Sequence, residues 1–262
     1  MRVIALQYHD VIDGDAWESS GFPGDDAATY KMAADDFAGH VRAVTRAAPP
    51  HPHGVLDLLA VPSNGRPGVV FTFDDGGVSA ITHTAGALEA QGWRGHFFVT
   101  TNYVGKPGFL GAAQLRELRR RGHTVGAHSC SHPMRMSHCT PAELRREWAG
   151  SVGVLADILG EPVTVASVPG GYYAPAVAEA AAEAGIRALF TSEPVSRVTH
   201  VGECAVLGRY TLRRDTPAAV AASLAAGRAG PQFEQWISWN AKKVAKRVGG
   251  RLYLRVRRAL LK

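Results

Sequence analysis

The sequence predicts an α/β fold, a distorted or incomplete (β/α) barrel of about seven parallel strands. Three observations lead there. Short apolar runs alternate with helix-period segments, the signature of parallel strands covered by helices. Several of the runs end in Asp, His or Gly, where a parallel α/β fold keeps its chemistry. No dinucleotide-binding glycine fingerprint follows any strand, which disfavours an open, doubly wound sheet.

In chain order, strands are expected over Val3 to Tyr8, Val69 to Phe73, Gly95 to Thr100, Thr124 to His128, Val163 to Val168, Ile186 to Thr191 and Ala205 to Leu212. Each is a short apolar run entering a polar turn. Helices are expected over Ala80 to Gln91, Leu110 to Arg121, Pro141 to Leu159 and Pro175 to Ala184, each followed closely by a stop-signal glycine. The clearest start is Thr140, Pro141 and Glu143, a capping hydroxyl, a proline at the first helical position and the acid of a capping box. Residues 10–30 and 49–68, rich in Gly, Pro, Asp and Ser, read as long loops of the functional kind. The expected organisation is a catalytic domain over 1–230 and a basic, amphipathic helical tail over 231–262.

Composition excludes several classes. With 46% apolar and 20% charged residues the chain is neither disordered nor fibrous. No apolar run approaches the ~20 residues that span a bilayer. Cys130, Cys139 and Cys204 form no disulfide framework and no zinc-binding C-x-x-C pair, which suits a reducing compartment. Met1 to Leu6 runs straight into a strand and has no signal-peptide pattern, so a cytoplasmic location is expected. The net charge of +6 is uneven: residues 231–262 carry nine Lys or Arg against Glu234, leaving the rest at −2. The tail, with Trp236, Ile237 and Trp239 among its cations, is read either as a segment lying on an anionic membrane face or as a packed helix pair with a solvated basic side. Nucleic acid is not expected, because no binding motif accompanies the charge.

Three strand ends carry the chemistry. Phe71-Thr72-Phe73-Asp74-Asp75-Gly76 delivers two adjacent carboxylates into a glycine turn, where their repulsion favours a nearby cation. By itself the tripeptide Asp-Asp-Gly reads more readily as a polar turn with an incipient helix cap. Ala127-His128-Ser129-Cys130-Ser131-His132 supplies two imidazoles at a spacing that lets both face one ion. Two histidines and a carboxylate leave coordination positions open, as catalytic Zn²⁺ sites do. Cys130 is read as a small packing residue. Val168-Pro169-Gly170-Gly171-Tyr172 ends a strand in glycines before a helix, and its N–H groups suit a developing oxyanion, although the glycines also serve simple turn geometry. His83, His96, His123, His138 and His200 lack partners at ligand spacing and are read as structural, while Asn102, Tyr103, Tyr172 and Tyr173 are candidates to line a sugar groove.

Together, Thr-Phe-Asp-Asp-Gly, His-Ser-x-x-His and the Pro-Gly-Gly strand end resemble the polysaccharide deacetylase family over roughly residues 1–215. The resemblance implies a metal-dependent hydrolase that removes an acyl group, usually acetyl, from an amino sugar of a glycan or glycan precursor. It implies Asp74 as catalytic base, Asp75, His128 and His132 as ligands of a divalent ion, most simply Zn²⁺, and Gly170, Gly171 and Tyr172 at the oxyanion and substrate. Two departures stand out. Ser167 occupies the position where the family has an arginine that orients the base; Arg209 is the candidate replacement, with a surface strand residue as its duller reading. The family's leucine-and-histidine motif is absent from the C-terminal half, and Leu6-Gln7-Tyr8-His9 matches it at the start. This resembles the permuted poly-N-acetylglucosamine deacetylase type and makes His9 the general acid. An O-acetyl esterase, a hydrolase of non-sugar amides and an inactive glycan-binding relic remain as alternatives, and a membrane-face location joins the cytoplasmic expectation.

Overall fold

In the computed structural model of the chain, residues 1–50, 54–61 and 65–241 are described. The basic run beyond Ala241, and with it most of the expected tail, lies outside the described residues.

The elements in order are β1 (Val3–Tyr8), β2 (Val11–Ile12), α1 (Asp25–Ala28), β3 (Met32–Ala33), α2 (Ala34–Ala47), α3 (Val55–Ala60), β4 (Gly68–Phe73), α4 (Ala85–Glu89), β5 (Gly95–Val99), α5 (Ala112–Arg120), β6 (Thr124–Ala127), α6 (Pro141–Leu159), β7 (Val165–Ser167), α7 (Pro175–Glu183), β8 (Ala188–Phe190), β9 (Thr199–Val201), β10 (Cys204–Leu207), β11 (Tyr210–Thr211) and α8 (Ala218–Ala225). Residues 229–241 are helical as well.

Nine strands form one curled sheet in the order β11-β1-β4-β5-β6-β7-β8-β10-β9, parallel except for β9 against β10. β10 pairs with β8 and β11 with β1, and only Gly208 and Arg209 separate β10 from β11. The segment expected as one strand, Ala205 to Leu212, is therefore a broken strand whose halves belong to opposite sides of the curl. A side chain on Gly208 would meet the carbonyl oxygens of Glu193 and Val195 at 2.3 and 2.5 Å, so the backbone can pass through this seam only as glycine. The result is the distorted (β/α) barrel the alternation predicts.

Strand periodicity then assigns the two faces. Ile4, Leu6 and Tyr8 of β1 join the large core beneath the helices, with Phe71, Phe97 and Trp148. Val3 and Ala5 of β1, Val70, Phe98, Val165, Phe190 and Leu207 point inward and form a second core, closed off by Val55 and Leu58 of α3. Burying one such Val, Leu or Phe contributes ~1.5–3 kcal/mol. The same inward parity, carried to the C-terminal strand ends, reaches Gln7, Asp74, His128, Ser167 and Arg209. The barrel interior is thus apolar below and polar at the rim where the strands end.

Local signals account for the best-read helix. Thr140 Oγ1 accepts from Glu143 N at 3.3 Å, the Glu143 carboxylate accepts from Thr140 N at 2.7 Å, and Gly160 ends α6 with a left-handed φ of 74°. Four helices were not expected, among them α1, which lies inside the stretch read as loop over 10–30. α2 buries Phe37, Val41 and Val44, α8 is alanine-rich, and α3 lies inside the stretch read as loop over 49–68. Within the expected helix Ala80 to Gln91, Ala80–Thr84 is a π-turn that leads into α4.

Candidate active site

The register of β1 and β4 brings the first pieces together. Tyr8 pairs with Phe73, and Asp74 N donates to Tyr8 O at 3.2 Å, so His9 and Asp74 leave the sheet side by side. The Nδ1 atom of His9 is buried without a hydrogen-bond partner, and the ring lies 4.7 Å from that of Tyr30. His9 also helps to hold the carboxyls of Asp74 and Asp75 down.

Asp75 turns away from Asp74 into the next turn. The Nε2 atoms of His128 and His132 each lie 3.4 Å from Asp75 Oδ1, and the two rings are 5.2 Å apart. One ligand atom from each of the three residues lies within 4.8 Å of the others, a donor set of two imidazoles and one carboxylate. The second atoms of His128 are spoken for: Nδ1 is 3.0 Å from Ser167 O and 2.6 Å from Ser167 Oγ. With the proton on Nδ1, the Nε2 lone pair faces Asp75, which is the tautomer a divalent ion requires. Burial would raise the Asp75 carboxyl, but the His128 and His132 imidazoles that face it hold it well below the usual range.

Backbone strain concentrates here. Among the described residues, the non-glycine residues with left-handed φ are Asp75 (75°), Ser129 (64°) and His132 (58°), two predicted ligands and one residue between them. Such conformations cost ~1–3 kcal/mol each and persist only where surrounding bonds impose them. Glu147 of α6 braces the turn between two of them, Ser129 and His132. Its carboxylate accepts from Cys130 N at 2.9 Å, Ser131 N at 2.8 Å and Ser131 Oγ at 2.7 Å, while His132 N donates to Ser129 Oγ at 3.1 Å. Cys130 Sγ lies against α6, 3.4 Å from Glu147 O, so this thiol packs on the helix.

Asp74 is the most heavily bonded carboxylate of the rim. Arg209 Nη1 and Nη2 donate to its two oxygens at 2.7 and 2.8 Å, Ser167 Oγ donates to Oδ1 at 2.9 Å and Gln7 Nε2 to Oδ2 at 2.8 Å. Burial alone would raise this carboxyl, yet the Arg209 charge and, after it, His128 hold it well below the ordinary carboxylate range. Arg209 is completely buried, its Nε donating to Thr191 O at 2.9 Å, so the reading as a surface strand residue fails. The inward alternation of Ala205 and Leu207, continued past Gly208, carries this side chain into the barrel.

The third motif also reaches the rim. Gly170 and Gly171 both have left-handed φ, 63° and 69°, directly after β7. A side chain on Gly171 would meet Ser192 at 3.1 Å, and Ser192 Oγ lies 3.4 Å from Gln7 Nε2. Tyr172 stands under the Arg135 guanidinium at 5.3 Å. Loop 10–30 contributes a wall that sequence reading did not resolve: Phe22 packs 5.2 Å from His132, 4.8 Å from Tyr103 and 5.2 Å from Phe109. Asp10 anchors that loop by accepting from Ser20 and Ser79 at 2.6 and 2.8 Å. The histidines read as structural find structural partners where the structure gives them. His96 Nε2 accepts from Val55 N, and His123 Nδ1 accepts from Gly95 N.

Comparison with known proteins bears on the family and the fold. Residues 62–189 match the family model for polysaccharide deacetylase. The fold resembles that of a deacetylase from Streptococcus pyogenes solved in complex with acetate, at 17% identity and TM-score 0.67, covering 83% of this chain and 95% of that one. It also resembles IcaB from Ammonifex degensii, at 19% identity and TM-score 0.66, covering 86% and 97%. A de-N-acetylase from Aggregatibacter actinomycetemcomitans is 16% identical with TM-score 0.64, covering 82% and 96%. No curated protein sequence matches the chain.

Proposed function

From the match of residues 62–189 to the family model for polysaccharide deacetylase, we propose a metal-dependent N-deacetylase acting on an amino sugar of a glycan or glycan precursor. The observation that carries it is the Asp75, His128 and His132 donor set beside a carboxylate, Asp74, that takes no part in it. The donors fit a divalent ion, Zn²⁺ being the natural choice for two imidazoles and one carboxylate with open positions. When bound, such an ion supplies Lewis acidity, making water easier to deprotonate and an amide carbonyl easier to attack.

The protein's own groups divide the proton work. Asp74 accepts the proton of the attacking water. Its oxygens hold four donors, so it does so by exchanging one of them, and Ser167, whose hydroxyl rotates freely about its bond, is the donor least costly to turn. Arg209 keeps Asp74 ionised and aimed. His9, beside Asp74 at the strand end, donates a proton to the departing nitrogen, a role suited to an imidazole near neutral pH. The N–H groups around Gly170, Gly171 and Tyr172 hold the carbonyl oxygen as it becomes negative. The N-acetyl choice draws on the relative whose name says de-N-acetylase. An inactive relic is disfavoured because Arg209 supplies, from another strand, the guanidinium that Ser167 lacks.

The test is release of acetate from N-acetylated and O-acetylated sugar oligomers, with and without chelator. Chelator-sensitive release from the N-acetylated panel supports the reading; release from O-acetylated sugars alone replaces it with an esterase.

A further inference from the structure

The inference concerns the helix over residues 229–241 and does not depend on the hydrolase reading. Its inner side is fixed to the barrel seam. Gln232 Oε1 accepts from Tyr210 OH at 3.0 Å, and the Gln235 amide brackets the edge strand β11, accepting from Thr211 N and donating to Thr211 O, both at 3.1 Å. One turn further on, the Trp239 ring comes within 2.9 Å of where a side chain on Gly171 would stand, so this helix borders the rim of the site.

Its outer side is apolar. Phe233, Trp236 and Ile237 are 60%, 46% and 48% exposed, and the Phe233 and Trp236 rings stack 6.0 Å apart. The spacing of three and four puts them on one face. A helix anchored on its polar side and apolar toward solvent reverses the usual pattern of a surface helix. The sequence that follows, residues 242–262, holds nine Lys or Arg and no Asp or Glu.

We propose that the Phe233, Trp236 and Ile237 face docks the protein on an anionic lipid surface, the charge complementarity coming from the cation-rich sequence that follows. Aromatic and aliphatic side chains enter the boundary between headgroups and acyl chains, while Lys and Arg pair with lipid phosphates. A second copy of the chain fits less well, because it would bring two nine-cation segments together. Docking by this face sets the site rim, through Trp239 and Gly171, at the lipid surface.

The test is flotation of the full-length protein with vesicles of phosphatidylcholine alone and of phosphatidylcholine mixed with phosphatidylglycerol. Binding is expected to the anionic vesicles only, with release near 1 M salt, where screening shortens to ~3 Å. The Phe233→Ser, Trp236→Ser, Ile237→Ser triple variant should lose on the order of a hundredfold in partitioning, with unchanged thermal stability and unchanged turnover of a soluble substrate. Lys242→Glu, Lys243→Glu, Lys246→Glu should weaken binding independently of any change to the apolar face. Failure of the wild type to float, or equal flotation of the triple variant, overturns the proposal. So does a triple variant that becomes monomeric from a dimer, which assigns the face to a second copy, or one that melts well below the wild type, which assigns it to the chain's own residues 242–262.

Discussion

Arg209 shows how much one buried side chain decides. It is fully buried and bonds both oxygens of Asp74, and removing it takes away the main countercharge of a carboxylate inside the barrel. Breaking such a pair typically costs ~3–5 kcal/mol. Arg209→Met should therefore lower the melting temperature and turnover together, and Arg209→Lys should rescue only part of either, because an ammonium cannot bond both oxygens in one plane. Full activity in Arg209→Lys would show that charge alone suffices. His9→Ala should cut the rate and leave metal content unchanged, and an unchanged rate would refute its role as acid. Cys204, fully buried on β10, has its thiol pushed up to about 11 by burial. At pH 8 only ~0.1% of it is then thiolate, so it should resist a thiol reagent until the fold is opened. Among these residues the ligand motifs were legible, because Asp74-Asp75 and His128 to His132 are local in sequence. Arg209 was ambiguous because the carboxylate it pairs with, Asp74, is far away in the chain and meets it only when the sheet curls.

At the scale of elements, α6 and the turn after β6 work as a unit. The helix was legible to its last residue, since Thr140, Pro141, Glu143 and Gly160 mark its ends within the chain itself. What Glu147 does was not legible, because it appears only once α6 docks against the turn and its carboxylate gathers the N–H groups of Cys130 and Ser131. Glu147→Ala should keep the fold and weaken Zn²⁺ affinity by ~10–100-fold, the usual effect of losing a group that orients ligands. Calorimetric titration of the metal-stripped variant measures this, and wild-type affinity would separate the turn's strain from metal binding. Elements without strong end signals escaped: α2 begins without a side-chain cap, and α8 is nearly all alanine and aliphatic, so neither advertises its boundaries.

For the whole molecule, the alternation of apolar runs and helices was enough to predict the barrel, and β1 between β11 and β4 explains why a motif at the start of the chain can serve its rim. In a curled sheet the first strand and the last are neighbours, so a strand can move from one end of the chain to the other without displacing the side chains it presents. The same closure turns the inner face of the sheet into two layers, an apolar floor sealed by α3 and a polar rim carrying Gln7, Asp74, His128, Ser167 and Arg209. The whole reading comes down to whether Asp75, His128 and His132 hold a single ion. Metal analysis of purified protein, titrated with Zn²⁺ and dialysed, should find one ion per wild-type chain and per Asp74→Asn chain, and far less in His128→Ala and His132→Ala. Full metal in either histidine variant would contradict it.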